Sequence, residues 1–87
     1  MIDQIRVLLV DDHEIVRTSL GLLLESQGDI VILGQASSGC QAVEMSKNLL
    51  PDVVIMDITL PDISGIEATR RIKAINPGIA IVALTIH

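Results

Sequence analysis

Short apolar runs rich in Val, Ile and Leu recur at residues 5 to 10, 30 to 36, 52 to 56 and 79 to 84, each bounded by Asp, Gly or Pro. Runs of that length, without regular polar alternation, are what strands buried on both faces require. The segments between them follow a helical period instead. Ile15, Val16, Ser19, Leu20, Leu23 and Leu24 fall on one stripe, and Gly28 is placed to stop that helix. Ala42, Val43, Ser46, Leu49 and Leu50 form a second stripe, which Pro51 prevents from continuing. Ser38 with Gln41, and Ser64 with Glu67, have capping-box spacing and mark two helix starts. A third helix, about residues 65 to 75, ends before the turn sequence Asn76-Pro77-Gly78. The order β-α-β-α-β-α-β predicts one α/β domain built on a parallel sheet with right-handed crossovers.

The first and third runs both deliver acid. Asp11 and Asp12 follow Val7-Leu8-Leu9-Val10, and Asp57 follows Val53-Val54-Ile55-Met56. If these strands are parallel neighbours, the carboxylates meet in one crevice outside the carboxyl edge of the sheet, where open α/β folds place ligands. Such a cluster repels itself unless it holds a divalent cation, and Mg²⁺ sites typically combine one or two carboxylates with waters and a phosphate. The chemistry implied is phosphoryl transfer. Asp57 and Asp11 are read as site residues, since a carboxylate on a buried strand is costly without a partner. Asp12 has two compatible roles, as a ligand and as the N-cap of the first helix. His13 and His87 lack the ligand spacing of a zinc site and are read as surface residues.

Composition removes several function classes. Hydrophobic residues make up 49 % of the chain, which excludes a disordered segment. A net charge of −5 argues against a nucleic-acid surface in this chain, and without Phe, Trp or Tyr no base can be stacked on an aromatic ring. Arg70, Arg71 and Lys73 are the one basic cluster and read as a solvated helix face. The single Cys40 cannot form an internal disulfide, which fits a reducing cytoplasm, and it is expected to fill a small buried apolar position. No apolar run approaches membrane-spanning length.

Between Asp57 and the third helix runs Ile58-Thr59-Leu60-Pro61-Asp62-Ile63, followed by Ser64-Gly65-Ile66-Glu67-Ala68. With Asp11-Asp12 after the first strand and Ala83-Leu84-Thr85 at the end of the fourth, this resembles the receiver domain of two-component response regulators of the NarL/LuxR type. Joint order and spacing across nearly the whole chain carry the resemblance. It implies a doubly wound, flavodoxin/CheY-like sheet. It also implies that Asp57 accepts a phosphoryl group from a phosphohistidine on a sensor histidine kinase. By the same resemblance Asp11, Asp12, Asp57 and the backbone carbonyl of Thr59 hold Mg²⁺, and Thr85 is the switch hydroxyl. The family's output is regulated transcription through a C-terminal DNA-binding domain outside these residues.

Receivers continue into a fifth strand ending in Lys, with an aromatic switch position before it, and two further helices. Residues 1 to 87 match the first seven of ten elements, an incomplete receiver in which Lys47 and Lys73 lie on helices and cannot replace the strand-end Lys. Phosphorylation is then expected to be slow or absent, and any catalysis limited to self-phosphorylation and autodephosphorylation. The fourth strand becomes an open apolar edge, which predicts a homodimer or a strand-exchanged oligomer. Two other readings stand beside this one. A haloacid-dehalogenase-like phosphatase wants a second Asp two residues after the nucleophile, where this chain has Thr59. A degenerate receiver would act only as a dimerisation module.

Overall fold

The computed structural model describes residues 3–58 and 60–84. The elements are β1 (Ile5–Val10), α1 (Glu14–Glu25), β2 (Ile30–Ala36), α2 (Gly39–Leu49), β3 (Val53–Asp57), α3 (Gly65–Ile75) and β4 (Ala80–Leu84). All seven expected elements form in the expected order, with β3 and β4 starting one residue later than the apolar runs. The sheet is parallel throughout, in the order β2-β1-β3-β4. The chain therefore steps from β1 to one side, then returns past it to β3 on the other. That reversal is the topological switch point at which α/β sheets bind ligands.

The main core lies on the α2 and α3 face. Leu8 and Val10 of β1 and Val54 and Met56 of β3 bury there against Ala42, Ala68 and Ile72. β2 joins this layer through Gly34, where a Cβ would stand 2.5 Å from Met45 Cε, the mobile end of that side chain, which fills the space over the glycine. A register shift after Val7 accommodates it: Val7 pairs with Ile32 and Leu8 with Gly34. α1 covers the opposite face, with buried Gly21 set against Leu9.

The helix ends follow the sequence signals with some differences. Ser38 and Ser64 cap α2 and α3 by accepting the N–H of Gln41 and Glu67, both at 3.1 Å. The reciprocal halves of the boxes go elsewhere. Gln41 Oε1 takes the Ser37 N–H at 2.8 Å, and the Glu67 carboxylate is held by Arg70 and Arg71. α2 ends on Leu50 in the left-handed region, φ 49°, before buried Pro51. Arg6 then ties that end to β1, its guanidinium donating to the carbonyls of Leu49 and Leu50 at 2.8 and 3.0 Å.

Two expectations are corrected. The α1 stripe is not a buried face: Ile15 is 81 % exposed and Leu23 60 %, and they line an open apolar groove with Leu20 and Leu84. A second apolar groove, between α3 and β4, is lined by Met56, Ile66, Ile81 and Ala83. The physical reason is the sheet order, because β4 has no partner on its outer side among the described residues and leaves both flanking helices half covered. Cys40 is exposed rather than buried, on the solvent side of the first turn of α2.

Candidate functional site

β1 pairs with β3 so that Val10 lies opposite Met56, which brings the next residue of each strand, Asp11 and Asp57, to one edge of the sheet. Both are nearly inaccessible, 7 % and 9 % exposed. Asp12 and His13 follow on the way into α1. One donor atom from each of Asp11, Asp12, His13 and Asp57 lies within 4.8 Å of every other. The sequence expectation that these three aspartates share a crevice holds.

Local hydrogen bonds fix the arrangement. Asp11 N–H donates to the Ala36 carbonyl, so the strand-end backbone is held by β2 at 3.0 Å. The Asp11 carboxylate turns forward and accepts the His13 N–H at 2.8 Å, an Asx-type turn that folds the chain back over the pocket. The His13 ring then sits with Nδ1 2.9 Å from Asp11 Oδ1 and 3.0 Å from Asp12 Oδ1. The hydrogen bond to Asp11, then the charge of Asp12, hold the imidazole above its ordinary pKa. Beneath the pocket, the Arg17 guanidinium donates to the Asp11 carbonyl and to Gln35 Oε1.

The loop after Asp57 is also constrained. Gly65 N–H donates to the Ile58 carbonyl at 3.1 Å and closes the loop on itself. A Cβ on Gly65 would lie 2.7 Å from Ile58 Cα and 3.1 Å from the Asp57 carbonyl oxygen, so the start of α3 rests directly on the Asp57–Ile58 backbone. In mid-loop, the Asp62 carboxylate receives the N–H groups of Gly39 and Cys40, both at 2.8 Å. The Cys40 thiol, as the largest contribution, and those amides hold Asp62 well below the usual carboxylate range.

Not every anticipated role is borne by the anticipated residue. The N-cap of α1 is His13 and not Asp12, because the Asx turn from Asp11 delays the first helical residue to Glu14. Thr59 and Thr85, expected as carbonyl ligand and switch hydroxyl, lie outside the described residues. His13 is exposed, as its reading as a surface residue expects, but its ring also lies against the carboxylates, which zinc spacing does not signal. The informative signal was its place two residues after a strand-end Asp, where an Asx turn returns the ring to the carboxylate. The donor set fits a hard divalent cation, since three carboxylates converge at bonding separation and two of them are almost dry.

Residues 7–87 match the response regulator receiver domain family. Among curated proteins, the chain is 44 % identical over 82 residues to response regulator GacA of Pseudomonas viridiflava, covering 94 % of this chain and 38 % of that protein. It is 50 % identical over 68 residues to transcriptional regulatory protein LiaR of Bacillus subtilis, covering 78 % of this chain and 32 % of that protein. Among solved structures it is similar to a LuxR-family two-component response regulator from Aurantimonas sp. SI85-9A1, with a TM-score of 0.92 and 36 % identity over 98 % of this chain and 61 % of that one. The response regulator domain of Thermotoga maritima CheB gives a TM-score of 0.84 at 41 % identity, over 92 % of this chain and 60 % of that one. The chain thus spans well under half of the curated relatives it matches. Nothing among these relatives favours the phosphatase reading. Order of elements, site position and family match agree, and the chain belongs to the response regulator receiver domain family, with relatives of the NarL/LuxR type.

Proposed function

We propose that Asp57 is the phosphoacceptor of a two-component signalling pathway and that a sensor histidine kinase is its donor. The observation that carries this reading is the convergence of Asp57 with Asp11 and Asp12 at the switch point of the sheet, all within bonding reach of one cation. An Asp57 oxygen attacks the phosphorus of a phosphohistidine; the P–O bond forms as the P–N bond breaks, and the imidazole stays on the kinase. Bound Mg²⁺ supplies the positive charge that offsets the carboxylate and the incoming phosphoryl oxygens. Asp11, Asp12, Asp57 and the Thr59 carbonyl would hold it. Burial of Asp11 and Asp57 limits water around the acceptor, and the closed loop from Ile58 to Gly65 keeps the Asp57 backbone in place.

Phosphorylation would then be read by Thr85, whose hydroxyl donates to the new phosphoryl oxygens only in the modified state and so shifts a two-state equilibrium. In this reading the natural output is transcriptional, through a DNA-binding domain joined to the receiver, and the setting is the cytoplasm. Among the described residues no helix is long and apolar enough to cross a membrane. The exposed β4 edge with its two apolar grooves favours self-association of the chain as a dimer or strand-exchanged oligomer.

Intact mass after incubation with acetyl phosphate and Mg²⁺ tests the acceptor. A single phosphoryl increment that disappears in Asp57→Asn is expected. An increment that survives the substitution would place the acceptor elsewhere, and no increment in either protein would leave an interaction module.

A further inference from the structure

The end of β1 and the loop after β3 carry the two halves of the acidic site, and both are bonded to one short stretch of chain between β2 and α2. At the end of β2 the Ala36 carbonyl accepts the Asp11 N–H at 3.0 Å. The chain then turns into α2, where the Gly39 and Cys40 N–H groups donate to Asp62 at 2.8 Å and the Cys40 thiol donates to the same carboxylate. Ile63 seats beside this contact. A Cβ on Gly39 would lie 2.3 Å from Ile63 Cγ1, and Ile63 packs against the core. The stretch is itself well held: the Ser37 N–H donates to Gln41 Oε1 at 2.8 Å, the Ser38 hydroxyl caps α2, and Ala36 and Ala42 are buried on either side.

The loop from Ile58 to Gly65 is closed at its base by the Gly65 N–H bond to the Ile58 carbonyl, and a loop closed at its base can still tilt about it. We infer that Asp62 is a positioning residue for the proposed phosphotransfer: it fixes that tilt against the same junction that holds Asp11, so that Asp57 and the cation ligands on β1 keep one spacing. The inference rests on the reading of this pocket as a Mg²⁺-dependent acceptor site. Asp62 is not a member of the carboxylate cluster and acts through the backbone it anchors. Mg²⁺ is sensitive to such an anchor, because it demands near-ideal octahedral geometry and a small displacement of a ligand costs affinity. The alternative is that Asp62 only caps α2 and contributes stability alone. Ser38 supplies the comparison, since its hydroxyl caps the same helix end within α2 itself, by accepting the Gln41 N–H.

The experiment uses the 87-residue chain, Asp62→Ala, Asp62→Asn, Ser38→Ala and Asp57→Asn. Asp62 is exposed, so its replacement leaves the core intact. Urea unfolding gives the stability of each variant, calorimetric titration with Mg²⁺ reads affinity, and amide hydrogen exchange followed by NMR reads the Gly65 N–H. Mg²⁺ affinity is expected to fall about tenfold in Asp62→Ala. It falls less in Asp62→Asn, which keeps one acceptor oxygen, and stays at the parent value in Ser38→Ala, although both alanine variants lose stability. The Gly65 amide exchanges faster in Asp62→Ala than global unfolding accounts for, and does not in Ser38→Ala. Mg²⁺ affinity equal in Asp62→Ala and the parent, an equal loss of affinity in Ser38→Ala, or a Gly65 amide unchanged by Asp62→Ala would overturn the inference. Where the parent binds Mg²⁺ and Asp57→Asn does not, each of those outcomes spares the acceptor reading. A parent that binds no Mg²⁺, or binds it as tightly in Asp57→Asn, would sink that reading and the role of Asp62 with it.

Discussion

Asp62 Oδ2 accepts the backbone N–H of Cys40 at 2.8 Å, which ties the loop leaving β3 to the first turn of α2. Its other oxygen takes the Gly39 N–H at 2.8 Å, so one carboxylate satisfies two amides that a helix start otherwise leaves to solvent. The negative charge also meets the positive end of the helix.

This clamp has an acid limit. Thiol and amide bonds lower the Asp62 pKa in the folded chain below the ordinary value of 3.8, so its stabilisation is fully present above that value and fades as pH falls through the folded pKa. Asp62→Asn is expected to lower the melting temperature by a few degrees at pH 7, and the gap to the parent closes in strongly acidic buffer. Thermal melts of both chains between neutral and acidic pH check this; a gap that widens on acidification would contradict it.

Gly65 leaves no room for a side chain over the Asp57–Ile58 backbone. Gly65→Ala must push Ile58 Cα, 2.7 Å from the added Cβ, and is expected to cost about 1–3 kcal/mol of stability by overpacking. Because the strain falls on the peptide that follows Asp57, acetyl phosphate labelling should drop more than the fraction unfolded explains. Urea unfolding and intact mass on the same samples separate the two effects.

Three carboxylates in one crevice repel one another when no cation is bound. Asp57→Asn removes one charge and is expected to raise the melting temperature in chelator while abolishing the response to Mg²⁺. The parent should gain roughly 2.7 kcal/mol when Mg²⁺ reaches a hundred times its dissociation constant. Melts with chelator and with millimolar Mg²⁺ give both numbers, and equal Mg²⁺ responses in the two chains would contradict the assignment.

The hydroxyl of Ser46 is buried in α2 without a hydrogen-bond partner among the described residues. Ser46→Ala removes a desolvated polar group and installs a better helix former, so it is expected to stabilise the chain by about 1 kcal/mol. The midpoint of urea denaturation should rise with its slope unchanged.

The open edge should be visible in solution. Val82 on β4 is 48 % exposed and faces the same side as the groove lined by Ile15 and Leu23. The 87-residue chain is expected to self-associate at micromolar concentration, and Val82→Lys, a charge placed on an edge strand, to return it toward monomer. Light scattering decides; a monodisperse monomeric parent would remove the proposal of a dimer or exchanged strand.

Element order and the pairing of acidic strand ends were readable from the sequence because they rest on local signals. Apolar runs of strand length, Pro51 and the serines at 38 and 64 each act within a few residues. What escaped depended on contacts across the chain. The α1 stripe reads as a core face by periodicity, but its burial needs a neighbour beyond β4, and periodicity carries no information on which neighbours exist. Cys40 looked like a core residue by type, yet its neighbour Gly39 is the buried position at the helix start. Asp62 and Cys40 are 22 residues apart, beyond any motif read along one element. His13 entered the site through a turn whose donor is its own backbone.

The ladder between β3 and β4 places Asp57 opposite Leu84, and Leu84 is also a wall of the open groove beside α1. The Asp57 carboxylate and the uncovered rim thus stand at the two ends of one rung. Among the described residues β1 and β3 are bonded on both sides, whereas β4 is bonded on one, the arrangement in which a strand opens more easily. A charge change at Asp57 therefore meets the sheet where its mechanical support runs out, and the shortest route for any displacement leads outward, to the surface on which a second polypeptide would press.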